Sequence, residues 1–172
     1  MRTVTSIIFV FAIILAAPGL AVAEKEDNAT FRELFARCLA YAMDGIPIST
    51  EGLKSVRENI ATKISPEGKQ VFYKSKGAYH PPRENWGFWI HELGDRGCRV
   101  LSAPVSHGKA QGHIWSETNA LNFDSHESEE DAKKGINTHR YQKEMADGRI
   151  ISITAVSPGR FARTIDVKIE VN

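Results

Sequence analysis

Six histidines, His80, His91, His107, His113, His126 and His139, are the side chains of this sequence best suited to chemistry. Neutral imidazole suits zinc, copper and nickel. Their spacing matches no compact ligand motif, and Gly108 and Gly112 between His107 and His113 remove any assurance that those two share a helical face. A metal site built from His107, His113 and His126 is therefore the alternative expectation, and exposed or singly hydrogen-bonded histidines the simpler one. His91-Glu92 opens like the zinc-protease helix His-Glu-x-x-His, but position 95 is Asp, and the pair sits in a segment that reads as a strand.

Other chemistries find less support. There is no Gly-x-Ser-x-Gly elbow for a nucleophilic serine. Asp124, Glu127, Glu129, Glu130 and Asp131 lack the Asp/Asn-Gly alternation of a calcium loop and read as a solvated helix start. No cofactor-binding motif is found, so no cofactor is expected. Aromatic residues offer a binding surface instead: Trp86, Phe88 and Trp89 lie close together, with Tyr73, Tyr79 and Trp115 elsewhere. Side chains alternate on a strand, so Trp86 and Phe88 share one face and Trp89 takes the other. Trp89, with Tyr79 and His80 in a Tyr-His-Pro-Pro loop, is the expected contact for a glycan or peptide.

The elements that must position these residues begin after an N-terminal leader. Arg2, the apolar run Ile7 to Ala17, the break at Pro18-Gly19 and the small residues of Ala21-Val22-Ala23 read as a signal peptide over 1–23, cleaved before Glu24. The apolar run is too short for a membrane span, so none is expected after cleavage. Lys and Arg total 22 against 21 Asp and Glu, and removing Arg2 with the leader makes the rest formally neutral. That balance argues against general affinity for nucleic acid or anionic membrane. Residues 24–172 suit a single domain. Export to an oxidising compartment predicts that Cys38 and Cys98 pair.

Within 24–172 a loose leader over Glu24 to Asn28 should precede a helix over about 30–43. A Thr30/Glu33 capping box starts it, and Phe31, Leu34, Phe35, Cys38, Leu39 and Ala42 line one face. A second helix is expected from Ser49 or Thr50 to Ser65-Pro66, with Leu53, Val56 and Ile60 inward. Gln70 to Tyr73 fits either a strand or a helical turn, and Gly77 to Asn85 reads as a loop. Trp86 to Leu93 and Cys98 to Leu101 form a hairpin around Gly94 to Gly97. Helices are expected over 109–119 and 127–134. Asn137 to Met145 and Arg149 to Val156 then flank an Asp147-Gly148 turn, and Ile165, Val167, Ile169 and Val171 alternate with polar residues. The pattern predicts an α+β domain, with N-terminal helices on an antiparallel sheet that ends in a strand meander, closed by one disulfide.

Phe35 and Cys38, Trp86, Gly97-Cys98 followed by Val100, and the C-terminal strands resemble small exported proteins of Gram-negative bacteria, most of them uncharacterised. The resemblance implies a periplasmic or secreted single domain and no catalytic residue. The function expected is a non-enzymatic binding protein contacting a protein or envelope polymer. An envelope hydrolase, metal-assisted or not, and a structural envelope component are the alternatives.

Overall fold

Apolar residues at helical spacing on one N-terminal segment, and at alternate positions on the C-terminal strands, require a helix laid on one face of a sheet. The computed structural model describes residues 18–55, 60–64, 70–74, 77–80, 88–94, 96–102, 105–133, 135–158 and 164–172. Helix α1 (Pro18–Asp44) leads to strand β1 (Lys54–Ser55), the β2 (Ile60–Ile64) and β3 (Gln70–Lys74) pair, and β4 (Gly77–His80), β5 (Phe88–Glu92) and β6 (Cys98–Ser102). Helix α2 (His107–Ala120) follows, then β7 (Ser125–Asp131), β8 (Ile136–Glu144), β9 (Ile150–Pro158) and β10 (Ile165–Val171).

Eight strands form one antiparallel sheet in the order β1-β4-β5-β6-β10-β9-β8-β7, and β2 and β3 form a separate two-stranded ribbon. The α+β class and the C-terminal meander are those the pattern predicts. After β6 the chain crosses through α2 to the far edge and returns strand by strand until β10 pairs with β6.

One face of the sheet is the core. Ile165, Val167 and Ile169 of β10 are buried there, beside Ile151, Ile153 and Ala155 of β9 and Phe88 and Ile90 of β5. Phe31, Leu34, Phe35, Cys38, Leu39 and Ala42 of α1 close over them, the same stripe that the helical period marks. Cys38 bonds Cys98 at the start of β6, with Cα atoms 5.5 Å apart and 60 residues of separation. A loop of that length places on the order of 4 kcal/mol of chain entropy in the crosslink. Gly45 (φ 71°) ends α1 in the left-handed conformation, its N–H returning to the Tyr41 carbonyl, and Arg149 donates to the carbonyls of Ala42 and Met43.

Several expectations are corrected. Residues 24–28 are helical, because α1 extends back to Pro18; proline is tolerated in a first turn, and Glu24-Lys25-Glu26 are good helix formers that prolong a helix already nucleated by packing. Among the described residues the second expected helix is absent: Gly52 (φ 72°) makes a turn, Leu53 N–H bonds Thr50 C=O at 3.0 Å, and β1 and β2 follow. Ile60, Thr62 and Ile64 are β-branched at alternate positions, a period the helical reading overlooked. Gln70 to Lys74 is a strand. Tyr79 and His80 lie in β4 and not in a loop, whereas Pro81 to Trp86 fall outside the described residues. The acidic segment expected as a helix over 127–134 is strand β7, since seven paired positions along β8 outweigh the modest helix preference of glutamate. Of the expected leader over 1–23, residues 1–17 lie outside the described residues and 18–23 belong to α1. No helix among the described residues is long and apolar enough to cross a membrane.

Candidate functional site

Helix α2 carries two faces. Ala110, Ile114 and Thr118 are buried, while Trp115, one residue beyond Ile114, is 55% exposed. Gln111 donates from its amide to the Tyr141 hydroxyl on β8, and Lys143 of β8 donates to the Leu121 carbonyl at the end of the helix. These bonds hold α2 along β8. Beyond it the terminal strand β7 is left uncovered, and a cleft of about 200 Å³ opens there, lined by Trp115, Thr118, Asn119, Phe123, Asp124, Ser125, His126 and Tyr141. Its floor is the buried Tyr141 ring, on which the His126 ring lies parallel (centroids 4.6 Å apart, 13° between planes). The Thr118 hydroxyl is turned back to the carbonyls of Ile114 and Trp115. One carboxylate oxygen of Asp124 accepts the Glu144 N–H at 3.2 Å. Burial pushes the Tyr141 phenol up to about 12, against the opposing effect of the Gln111 hydrogen bond, so it stays protonated.

A row of imidazoles runs from the cleft under the start of α2. His126 Nε2 and His139 Nδ1 are 3.2 Å apart, with ring centroids at 5.5 Å. Because each nitrogen lies about 1.1 Å from its ring centre, the two nitrogens sit nearly on the line between the centroids, the geometry of a shared N–H. His107, at the first position of α2, lies 5.7 Å from His139 by ring centroid, and its Nδ1 is 2.6 Å from Ser157 Oγ on β9. Burial lowers the basicity of His107; burial and then the neighbouring His107 and His126 lower that of His139. His107 and His139 are therefore largely neutral near pH 7.

A serine bonded to a histidine invites a nucleophilic reading, but Ser157 is 0% exposed, and a substrate cannot approach its Oγ. The contact ties α2 to the sheet. Metal chemistry gains no closed ligand set: among the described residues, no group of three or more His, Cys, Asp or Glu side chains is placed to surround an ion. Of the three histidines singled out for a metal, His107 and His126 join one row through His139. His113 lies apart, edge-on to Phe31 and Phe35 of α1 (6.3 and 5.9 Å) and 3.9 Å from Glu117.

The residues expected to contact a partner are also separated. Tyr79 pairs with Ile90, which places it on the core side of the sheet, packed against the core. Trp89 is on the opposite face, half-buried and parallel to His91 (6.2 Å, 10°). The His80 backbone pairs with Lys54. Trp89 and Tyr79 thus form no common surface. The sequence offers Trp115 only as a separate aromatic and His139 only as one of six histidines, and nothing local links either to Phe123 and Tyr141 across a helix, a loop and a hairpin. The one available signal was Trp115 itself, a large aromatic at a solvent-facing position of a polar helix.

Comparison with family profiles, with curated proteins and with solved structures finds no match.

Proposed function

We propose that this is an exported, non-enzymatic binding domain, periplasmic or secreted, which seats part of a protein or envelope polymer in the cleft between α2 and β7–β8. The observation that carries the reading is the exposed Trp115 indole at the rim of a cleft floored by Tyr141 and flanked by Phe123 and His126. Exposed aromatics bordered by polar groups are the anchors binding surfaces use, and they cost solvation when nothing covers them. At about 200 Å³ the cleft is smaller than the roughly 300–1,000 Å³ of a typical small-molecule site and suits one ring or side chain at a time. The formed disulfide and the leader-like N-terminus support the exported setting, as does the resemblance to small exported proteins. The buried hydroxyl of Ser157 weighs against the hydrolase alternative.

The test is retention of the partner from an envelope extract on immobilised protein, and of purified peptidoglycan fragments, by the wild type and by Trp115→Ala. An exposed side chain can be truncated without unfolding the domain. At least a ten-fold loss of retention at unchanged Tm is the expected outcome. Equal retention by the variant sinks the reading.

A further inference from the structure

Strand β7 is the last strand of the eight-stranded sheet, and among the described residues only β8 pairs with it. Along its other edge the backbone N–H and C=O groups of alternate residues point away from β8. Every position from Ser125 to Glu130 is exposed, and no proline or bulge interrupts the register with β8. Such an edge templates an added strand unless something deters it. Here the deterrent is charge: the strand reads Ser-His-Glu-Ser-Glu-Glu-Asp and contains no basic residue other than His126.

The charge is ordered by face. Glu127 pairs with Arg140, which in turn stands opposite Thr154, so Glu127, Glu129 and Asp131 project from the face away from the core. Alternate residues of a strand are about 6.6–6.8 Å apart, so three carboxylates repeat at that interval along one face. His126, Ser128 and Glu130 take the other face, and His126 opens directly onto the aromatic cleft. Asp131 Oδ1 accepts the Lys133 N–H at 3.1 Å. Glu129 is engaged by Arg140 at 3.3 Å, but both side chains are largely exposed, and a pair of that kind exchanges partners cheaply.

We infer that β7 accepts, by strand addition, an extended segment of a partner protein with Lys or Arg at alternate positions and apolar residues between them. The basic side chains lie opposite the carboxylates at 127, 129 and 131, where directly facing residues on adjacent strands come within about 4.5–5.5 Å. The intervening side chains face inward, and one aromatic among them enters the cleft beside His126. The backbone ladder supplies affinity and the alternation supplies register. The same carboxylates repel the β7 edge of a second copy, so the surface selects a basic partner over itself. This rests on the cleft being a binding site, and adds to it the chemistry of the partner.

The probe is a fluorescein-labelled peptide Lys-Phe-Lys-Val-Lys-Val-Lys, titrated with the purified protein and followed by anisotropy. Three controls accompany it: the same sequence with Glu for Lys, a block isomer with all lysines at one end, and a version N-methylated at the apolar positions. Expected outcomes are binding of the first peptide, none of the acidic one, and at least ten-fold weaker binding of the block isomer and the N-methylated form. Glu127→Gln with Glu129→Gln, both exposed, should weaken binding ten-fold or more and flatten its dependence on salt. Absence of binding, or equal binding of the block isomer or the N-methylated peptide, overturns strand addition by an alternating segment. Insensitivity to the glutamine substitutions overturns the role of the carboxylates. If Trp115→Ala still abolishes retention of the envelope partner while the lysine peptide fails to bind, the cleft stands and only the partner class is wrong. If Trp115→Ala leaves retention unchanged, the binding reading itself falls.

Discussion

Acidification should unfold this protein through one residue more than any other. His91 points from β5 to the face opposite the core, yet it is only 4% exposed, with the Trp89 ring parallel to it and its Nδ1 buried without a hydrogen-bond partner among the described residues. Burial, and then the Arg99 guanidinium at the facing position of β6, depress its pKa from 6.5 to about 4, against a smaller opposing pull from Asp166. The native protein therefore keeps His91 neutral, while the unfolded chain takes up a proton below pH 6.5. The stability this group contributes is complete above pH 6.5 and is lost as the pH falls towards 4. At about 1.4 kcal/mol per pH unit, the loss from this residue alone is about 2 kcal/mol at pH 5 and about 3 kcal/mol at pH 4. Urea unfolding at pH 7, 6 and 5 measures it. His91→Phe preserves an aromatic ring against Trp89 but cannot titrate. His107, His113 and His139, all with lowered basicity, remain in both proteins and cancel. Between pH 7 and 5 the wild type should lose about 2 kcal/mol more than His91→Phe, roughly 1 M in urea midpoint for a protein of this size. Parallel pH profiles for the two proteins would refute the reasoning, since they would mean that His91 titrates alike in both states.

Arg99 is 4% exposed and reaches the Asp166 carboxylate through Nε, at 2.5 Å, and through Nη2. Arg99→Met should cost about 3 kcal/mol by leaving Asp166 half-covered without its partner, and Arg99→Met combined with Asp166→Leu should recover most of that loss in thermal melts. Replacing Cys38 and Cys98 together by Ala should lower stability by about 4 kcal/mol; reduction of the wild type should reproduce the shift in urea midpoint, and an unchanged midpoint would remove the disulfide from the account. Arg149→Ala withdraws donors from the last carbonyls of α1, and denaturant melts should register about 1 kcal/mol.

Local patterns carried much of the fold. The stripe from Phe31 to Ala42, the Asp147-Gly148 hairpin turn (Gly148 φ 81°) and the alternation of Ile165, Val167 and Ile169 depend on residues within a few positions of one another, so they were legible before any coordinates. The pairing of Cys38 with Cys98 was legible too, because only two cysteines are present. The segments misread were those whose state depends on distant partners. Strand β7 consists of residues with no strong preference for a strand, and its state follows from a register with β8.

The candidate site belongs wholly to that second kind. Composition alone determined that histidines and aromatics were plentiful and that no compact catalytic or metal motif arranged them. Tertiary structure decided which of them meet. The crossover through α2 to the far edge of the sheet brings Trp115 to the same cleft as Tyr141, and the β7–β8 register sets His126 beside His139. The register of β4 with β5 sends Tyr79 and Trp89 to opposite faces, because a strand's side chains alternate and a shift of one residue would have reversed the outcome.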